Sequence, residues 1–258
     1  MLGLVLALAA LVVGFYHVKE INHTLDKVDH VHQELTAQMQ KNDATVAQVR
    51  ERLSTRYLSN FPDFIPDIVK LVDGARSSVV IFCDLPGYGV FSDPESAGQY
   101  HDVLEQKQRQ PNFRLELTCM DDKTRRNYIE EQFSTFDWKM WQADPALRAR
   151  LETFAASRGL NVQSLQTPAS LIAAILDADT ETFKHTFLGK AVRTDAPMPM
   201  YFWIADDKSA IFAVPALTSD AIEYGFTTSD RDLIIAFKNM KRRYDEAVTR
   251  RAITKNLK

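Results

Sequence analysis

Hydrophobic and polar positions divide this chain into three stretches with different periods. The first, MLGLVLALAALVVGFYHV (residues 1–18), has no charged side chain before Lys19. As a helix it spans about 27 Å at roughly 1.5 Å per residue, enough to cross a hydrocarbon layer. Tyr16 and His17 fall where an interfacial belt is expected, and Lys19 can snorkel. No basic residue precedes the run and helix-compatible sequence continues past it, so the pattern favours a retained anchor over a cleaved signal. Lys19, Lys27 and Lys41 all follow the run, which predicts a single pass through the inner (plasma) membrane with the bulk of the chain in the cytoplasm.

The second stretch, residues 19–58, has no Pro or Gly and repeats apolar residues at alternating spacings of four and three. Ile21, Leu25, Val28, Leu35, Met39, Val46, Val49 and Leu53 hold eight of eleven seam positions; His32, Asn42 and Arg56 hold the rest. Five heptads of this kind predict a coiled-coil stalk, and Asn42 is a register-fixing residue. The same stripe would serve a single helix folded onto its own domain. Anchors that hold chains side by side favour self-association, hence a homodimer through the stalk.

From residue 59 the period changes again. NFPDFIPD ends the rod with Pro62 and Pro66, and a helix through Ile68, Val69 and Val72 is predicted to stop at Gly74. SSVVIFCDL (77–85) is an almost unbroken β-branched run, the pattern of a strand buried on both faces. SAGQYHDVLEQKQRQ reads as a helix and FRLELTCMDD as a second strand, a β-α-β unit with parallel strands. Residues 123–192 read as a mostly helical insertion, with a helix starting at Thr167-Pro168. YFWIADDKSAIFAVP (201–215) reads as two strands joined at Asp206-Asp207-Lys208. Ser229 and Asp232 are the expected cap of a last amphipathic helix through Leu233, Phe237, Met240 and Tyr244. The fold class is therefore α/β, a mixed sheet flanked by helices, behind a transmembrane helix and a long coiled coil.

With 258 residues, 45 % hydrophobic content and a net charge of −3, the chain can bury one large core, and its overall field favours no polyanion; nucleic acid is not an expected partner. The last 21 residues hold eight Lys or Arg against two acids, a basic helix end that could meet anionic lipid only if the stalk folds back. Cys83 and Cys119 lie in apolar strand runs and read as buried thiols of a reducing compartment. FSTFDWKMW, with Phe133, Phe136, Trp138 and Trp141, reads as packing of the inserted helices.

The hairpin FWIADDKSAIFAVPAL and the later GFTTSDRDLIIAF resemble one half-unit of the phospholipase D superfamily, whose hairpin carries the motif HxKxxxxD ahead of a closing helix. The resemblance implies a phospholipase D-like domain over residues 59–258 with phosphodiester chemistry at that hairpin. Position by position, Asp206 falls on the motif's Asp, but Pro199 holds the place of the nucleophilic His and Tyr201 that of the Lys. Proline cannot attack phosphorus and tyrosine offers no cation to a phosphoryl oxygen. The implied domain is catalytically degenerate, a sensing, binding or scaffold module for an unidentified protein or small molecule, with no cofactor. Asp84, Tyr88, Tyr201 and Asp206 are its candidate ligand-contacting residues. A rival reading is an Mg²⁺-dependent phosphodiesterase or nuclease, because Asp84, Asp121 and Asp122 close two strands that should be neighbours. Acidic residues after strands also cap helices, which is the plainer reading. The loop DLPGYGVF (84–91) has two glycines but lacks the Lys-Ser/Thr of a phosphate loop.

Overall fold

The computed structural model describes residues 54–187, 191–215 and 223–256, together with 33, 34, 36 and 38 further upstream, which are helical and exposed. The chain divides into two compact units, Met1–Leu53 and Ser54–Lys258. The apolar run at 1–18 and nearly all of the heptad segment lie outside the described residues. Among the described residues no helix is long and apolar enough to cross a membrane.

The second unit is a mixed α/β domain on one seven-stranded sheet. Its elements are β1 (Thr55–Asn60), α1 (Ile65–Gly74), β2 (Ser78–Phe82), α2 (Pro94–Gln108), β3 (Arg114–Met120), α3 (Asp122–Gln132), α4 (Trp138–Ala143), α5 (Pro145–Ser157), a 3₁₀ turn (Val162–Leu165), α6 (Pro168–Phe187), β4 (Val192–Thr194), β5 (Tyr201–Ala205), β6 (Ser209–Pro215), β7 (Glu223–Thr228) and α7 (Arg231–Asn256). The strand order is β1-β7-β6-β5-β2-β3-β4. As the β-α-β reading requires, β2 pairs parallel to β3, while β5 runs antiparallel to both β2 and β6.

Why the central strands are continuous apolar runs follows from the layers on either side. Trp203 of β5 donates its indole N–H to Tyr100 Oη of α2 at 2.8 Å, on one face of the sheet. Its neighbour Phe202 points the other way and stacks on Phe237 of α7, with ring centroids 5.0 Å apart. All five residues of β2 and all five of β5 are buried accordingly. The helical insertion has its own apolar cluster around Phe91, Ile129, Phe154, Leu171 and Ile175, and the aromatic stretch 133–141 packs there: Phe136 is buried and Phe133, Trp138 and Trp141 are partly so.

Three strands depart from the sequence expectation. The heptad reading carries a helix through Arg56 and a stalk to residue 58, yet β1 begins at Thr55 and pairs antiparallel with β7. TRYLSN is short, and its aromatic and β-branched content finds a half-buried pleated surface, which outweighs a fading heptad. β7 occupies EYGFTT, read as the lead-in to the last helix, and β4 interrupts the end of the helical insertion. The cap of α7 is also one residue along. Asp230, not Ser229, accepts the Leu233 N–H at 2.9 Å.

Candidate functional site

The parallel pair β2–β3 ends where the antiparallel strands β5 and β7 begin, so one end of the sheet collects residues far apart in sequence. Asp84 follows β2, Tyr201 opens β5 and Glu223 opens β7. The register Phe82↔Phe202, Tyr201↔Ala213 and Pro215↔Glu223 sets the three along that end. The loop after β2 contributes Tyr88, whose ring lies 4.8 Å from Trp203 and 6.1 Å from Tyr201. Gly89 lets this loop turn: its φ of +80° is left-handed, and a Cβ there would stand 2.3 Å from Ile65 Cδ1.

A buried carboxylate, Asp84, a half-buried one, Glu223, and three tyrosines make up the cluster. Asp84, 3 % exposed, accepts the Leu85 N–H at 2.7 Å. The phenols of Tyr201 and Tyr128 lie close enough to act on its proton equilibrium. Tyr88 Oη donates to Glu223 Oε2 at 2.5 Å. Burial pushes Asp84 up to about 6; the Leu85 N–H and the Tyr201 phenol oppose that shift and Asp179 adds to it. Glu223 is pushed up to about 8, by burial first and then by the charge of Asp84, against the Tyr88 hydrogen bond. Burial likewise raises the phenols of Tyr88, Tyr128 and Tyr201. The charges acting on Asp84 and Glu223 are other carboxylates.

A buried ion pair holds the loop from the insertion side. Asp179 of α6, fully buried, accepts the Gly87 N–H at 2.7 Å and pairs with Arg125 Nη1 of α3 at 2.5 Å. Arg125 also reaches Asp122 at 2.5 Å, and Arg193 of β4 meets the same carboxylate at 3.0 Å.

Of the residues singled out in the sequence, Asp84, Tyr88 and Tyr201 come together. Asp206 does not. It sits at the opposite end of β5, with φ of 52°, and its carboxylate accepts the N–H groups of Arg76 (2.8 Å), Ser77 (2.7 Å) and Ser78 (2.9 Å) and the Ser77 hydroxyl (2.8 Å). That is a brace between the hairpin turn and the start of β2, and it holds the carboxyl well below the ordinary Asp range despite the opposing cost of burial. Asp121 caps α3 through the Thr124 N–H (2.7 Å), and Asp122 is engaged by two arginines, so the three strand-end acids are not brought together. Among the described residues no group of three or more His, Cys, Asp or Glu is placed to hold a metal ion.

Pro199 is exposed, just ahead of β5. His101 lies on α2, 3.4 Å from the Thr182 hydroxyl, and burial pulls it down to about 4. Cys83 and Cys119 are buried free thiols, as their apolar surroundings predict.

Glu223 and Tyr128 are the members of the cluster that sequence reasoning missed. Glu223 opens a strand that reads as helix lead-in, and Tyr128 is one aromatic in a polar helix, so neither carries a local signal.

No family model matches the chain, and no curated protein matches it. Among solved structures it is similar to TrmBL2, described as an archaeal chromatin protein with a novel mode of DNA binding. The identity is 13 %, the TM-score 0.37, and the match covers 87 % of this chain and 66 % of that one. It is also similar to Nuc from Salmonella typhimurium, a phospholipase D family member, at 11 % identity and a TM-score of 0.35, covering 74 % of this chain and 93 % of that one. The chain thus spans about two thirds of the first of these proteins. Both likenesses are too low to assign a family.

Proposed function

We propose that this chain is a membrane-anchored, dimeric module of the inner membrane. Its cytoplasmic, phospholipase D-like domain binds a partner or small molecule at the Asp84–Tyr201–Glu223 end of the sheet and does not cleave phosphodiesters. The anchor and pairing rest on the uncharged run at 1–18 and the heptads of 21–53. The observation that carries the absence of cleavage is at Tyr201. Where the motif requires a lysine stands the buried phenol of Tyr201, and Pro199 stands in place of the histidine. Phosphoryl transfer needs a nucleophile and cationic or N–H groups facing the equatorial oxygens. The groups there are instead the carboxyl of Asp84, a poor partner for a phosphate, and that of Glu223, which keeps its proton into the neutral range. The Mg²⁺-dependent alternative draws no support from the placement of Asp121 and Asp122, whose carboxylates are engaged elsewhere.

The test is turnover by the full chain in detergent, with bis(p-nitrophenyl) phosphate, phospholipid vesicles and plasmid DNA, each with and without Mg²⁺. No hydrolysis is expected. Hydrolysis that disappears in Asp84→Asn overturns the reading, and Mg²⁺ binding by calorimetry that Asp84→Asn abolishes revives the metal-dependent one.

A further inference from the structure

The sheet is covered unevenly on the side that carries α7. Phe237 lies on Phe202 and Phe212, at 5.0 and 5.2 Å between ring centroids. Farther out, toward the β1 edge, the same face continues as aromatic surface. Phe226 of β7 stacks on Phe212 at 5.2 Å, and Tyr57 of β1 meets Phe226 edge-on at 5.7 Å. Tyr224, two residues before Phe226 and therefore on the same face, completes the patch. Tyr57 is 52 % exposed and Tyr224 41 %, two of the most exposed large apolar side chains among the described residues. Val214, opposite Tyr224 in the register, lies beneath them half-buried.

We propose that this face, centred on Tyr57 and Tyr224, is the contact between the domains of two copies of the chain. What selects a second copy is where the chain enters. β1 starts two residues after Leu53, the last apolar seam position of the heptads. Ser54 in between is fastened to the domain: its carbonyl accepts the Ser229 N–H at 2.7 Å, and its hydroxyl reaches Asp230. Four residues of extended chain reach about 13 Å, so Tyr57 lies within that distance of Leu53. Paired helices run about 8–10 Å apart. A two-stranded stalk therefore starts two β1 strands close together, with the aromatic face beside each within reach of its counterpart. Tyrosine suits such a contact, since its ring buries large area while its hydroxyl stays hydrogen-bonded. Here Tyr57 Oη already donates to Asn60 Oδ1 at 2.8 Å.

Strand addition along the bare β1 edge is the poorer geometry. The register breaks between Tyr57 and Asn60, and Arg56 is exposed beside it, both features that discourage edge pairing. Two strands leaving a parallel stalk also run in the same direction, so contact through the faces fits better than a new ladder.

The inference rests on the paired stalk, and the test separates the two. Single cysteines are placed in the full chain in membranes at Tyr57, at Tyr224, at the seam position Val46 and, as a control, at Met140 on the insertion, which is 53 % exposed. Cys83 and Cys119 are each 1 % exposed and form the silent background. Copper-phenanthroline oxidation is expected to give covalent dimers with Tyr57→Cys, Tyr224→Cys and Val46→Cys, and none with Met140→Cys or the unmodified chain. Dimers with Val46→Cys alone overturn the domain contact and leave the stalk standing. No dimer with any variant overturns both, and equal yields at Met140 and Tyr57 reduce the contact to random collision and overturn it.

Discussion

The Tyr88 hydroxyl lies 2.5 Å from a carboxylate oxygen of Glu223, tying the loop that leaves β2 to the first residue of β7. Phe61, which follows β1, joins the same junction: its N–H donates to the Glu223 carbonyl at 2.9 Å and its ring packs on Tyr88 at 5.2 Å. One end of the sheet is therefore closed by a phenol and a carboxyl whose proton equilibrium is coupled to Asp84 behind them.

Burial of these two carboxyls, with the charge of Asp84 acting on Glu223, gives the domain an inverted pH dependence in the neutral range. Glu223 moves from an ordinary 4.5 up to about 8 on folding, so between those values the folded chain holds a proton that the unfolded chain has released. Stability is thus fully present below about pH 4.5 for this group and falls as pH rises, by about 1.4 kcal/mol per unit at most, until about pH 8. Asp84, raised from 3.8 to about 6, acts in the same direction over the lower part of the window. Urea midpoints should decline from pH 5.5 to 8.5, and Glu223→Gln, neutral throughout, should flatten the decline above pH 6. A midpoint in the unmodified chain that rises across this window contradicts the assignment.

Asp206 acts on stability, at the end of the sheet opposite the Asp84–Glu223 cluster. Asp206→Ala removes a carboxylate that serves three N–H groups and a hydroxyl, and should cost about 1–3 kcal/mol at pH 7, the amides being open enough to recover water. Because the folded carboxyl sits below 3.8, its contribution is present above that pH and is lost as pH falls through the folded value. Unfolding curves at pH 7 and in acid should therefore differ between the unmodified chain and the variant at pH 7 and converge in acid.

Arg125 and Asp179 form a pair in which the single substitutions are expected to be worse than the double. Arg125→Met leaves the fully buried Asp179 without its cation and should cost about 3–5 kcal/mol. Adding Asp179→Asn removes the stranded charge while keeping an oxygen for the Gly87 N–H, and should recover part of the loss. A double-mutant cycle by urea unfolding measures this coupling, and strict additivity argues against it.

At Gly89 two costs can be separated. Gly89→Ala places a Cβ 2.3 Å from Ile65 Cδ1 and forces an L residue to φ of +80°, together about 2–4 kcal/mol. Ile65→Val deletes that methyl carbon, so in the Ile65→Val background the added loss should shrink to the backbone part, about 1–2 kcal/mol. Thermal unfolding of the four proteins reads both parts.

Local pattern by itself determined much of this architecture: the buried runs of β2 and β5, the parallel β2–β3 pair, the β5–β6 hairpin with its turn at Asp206, and the helices closed by Gly74 and opened by Pro168. Each is encoded by neighbours in sequence, through period, turn chemistry or a cap, so each is legible there. It also showed that Pro199 and Tyr201 stand where the resemblance wants His and Lys. Only the tertiary structure decided which polar residues share a site. Asp206 and Tyr201 are five residues apart, yet an extended strand carries them to opposite ends of the sheet. Glu223 and Asp84 are more than a hundred residues apart, and the strand order brings them to the same end. The strands β1 and β7 were hidden for the same reason. A short edge pair has little pattern of its own, and its stability comes from a partner that the sequence does not announce.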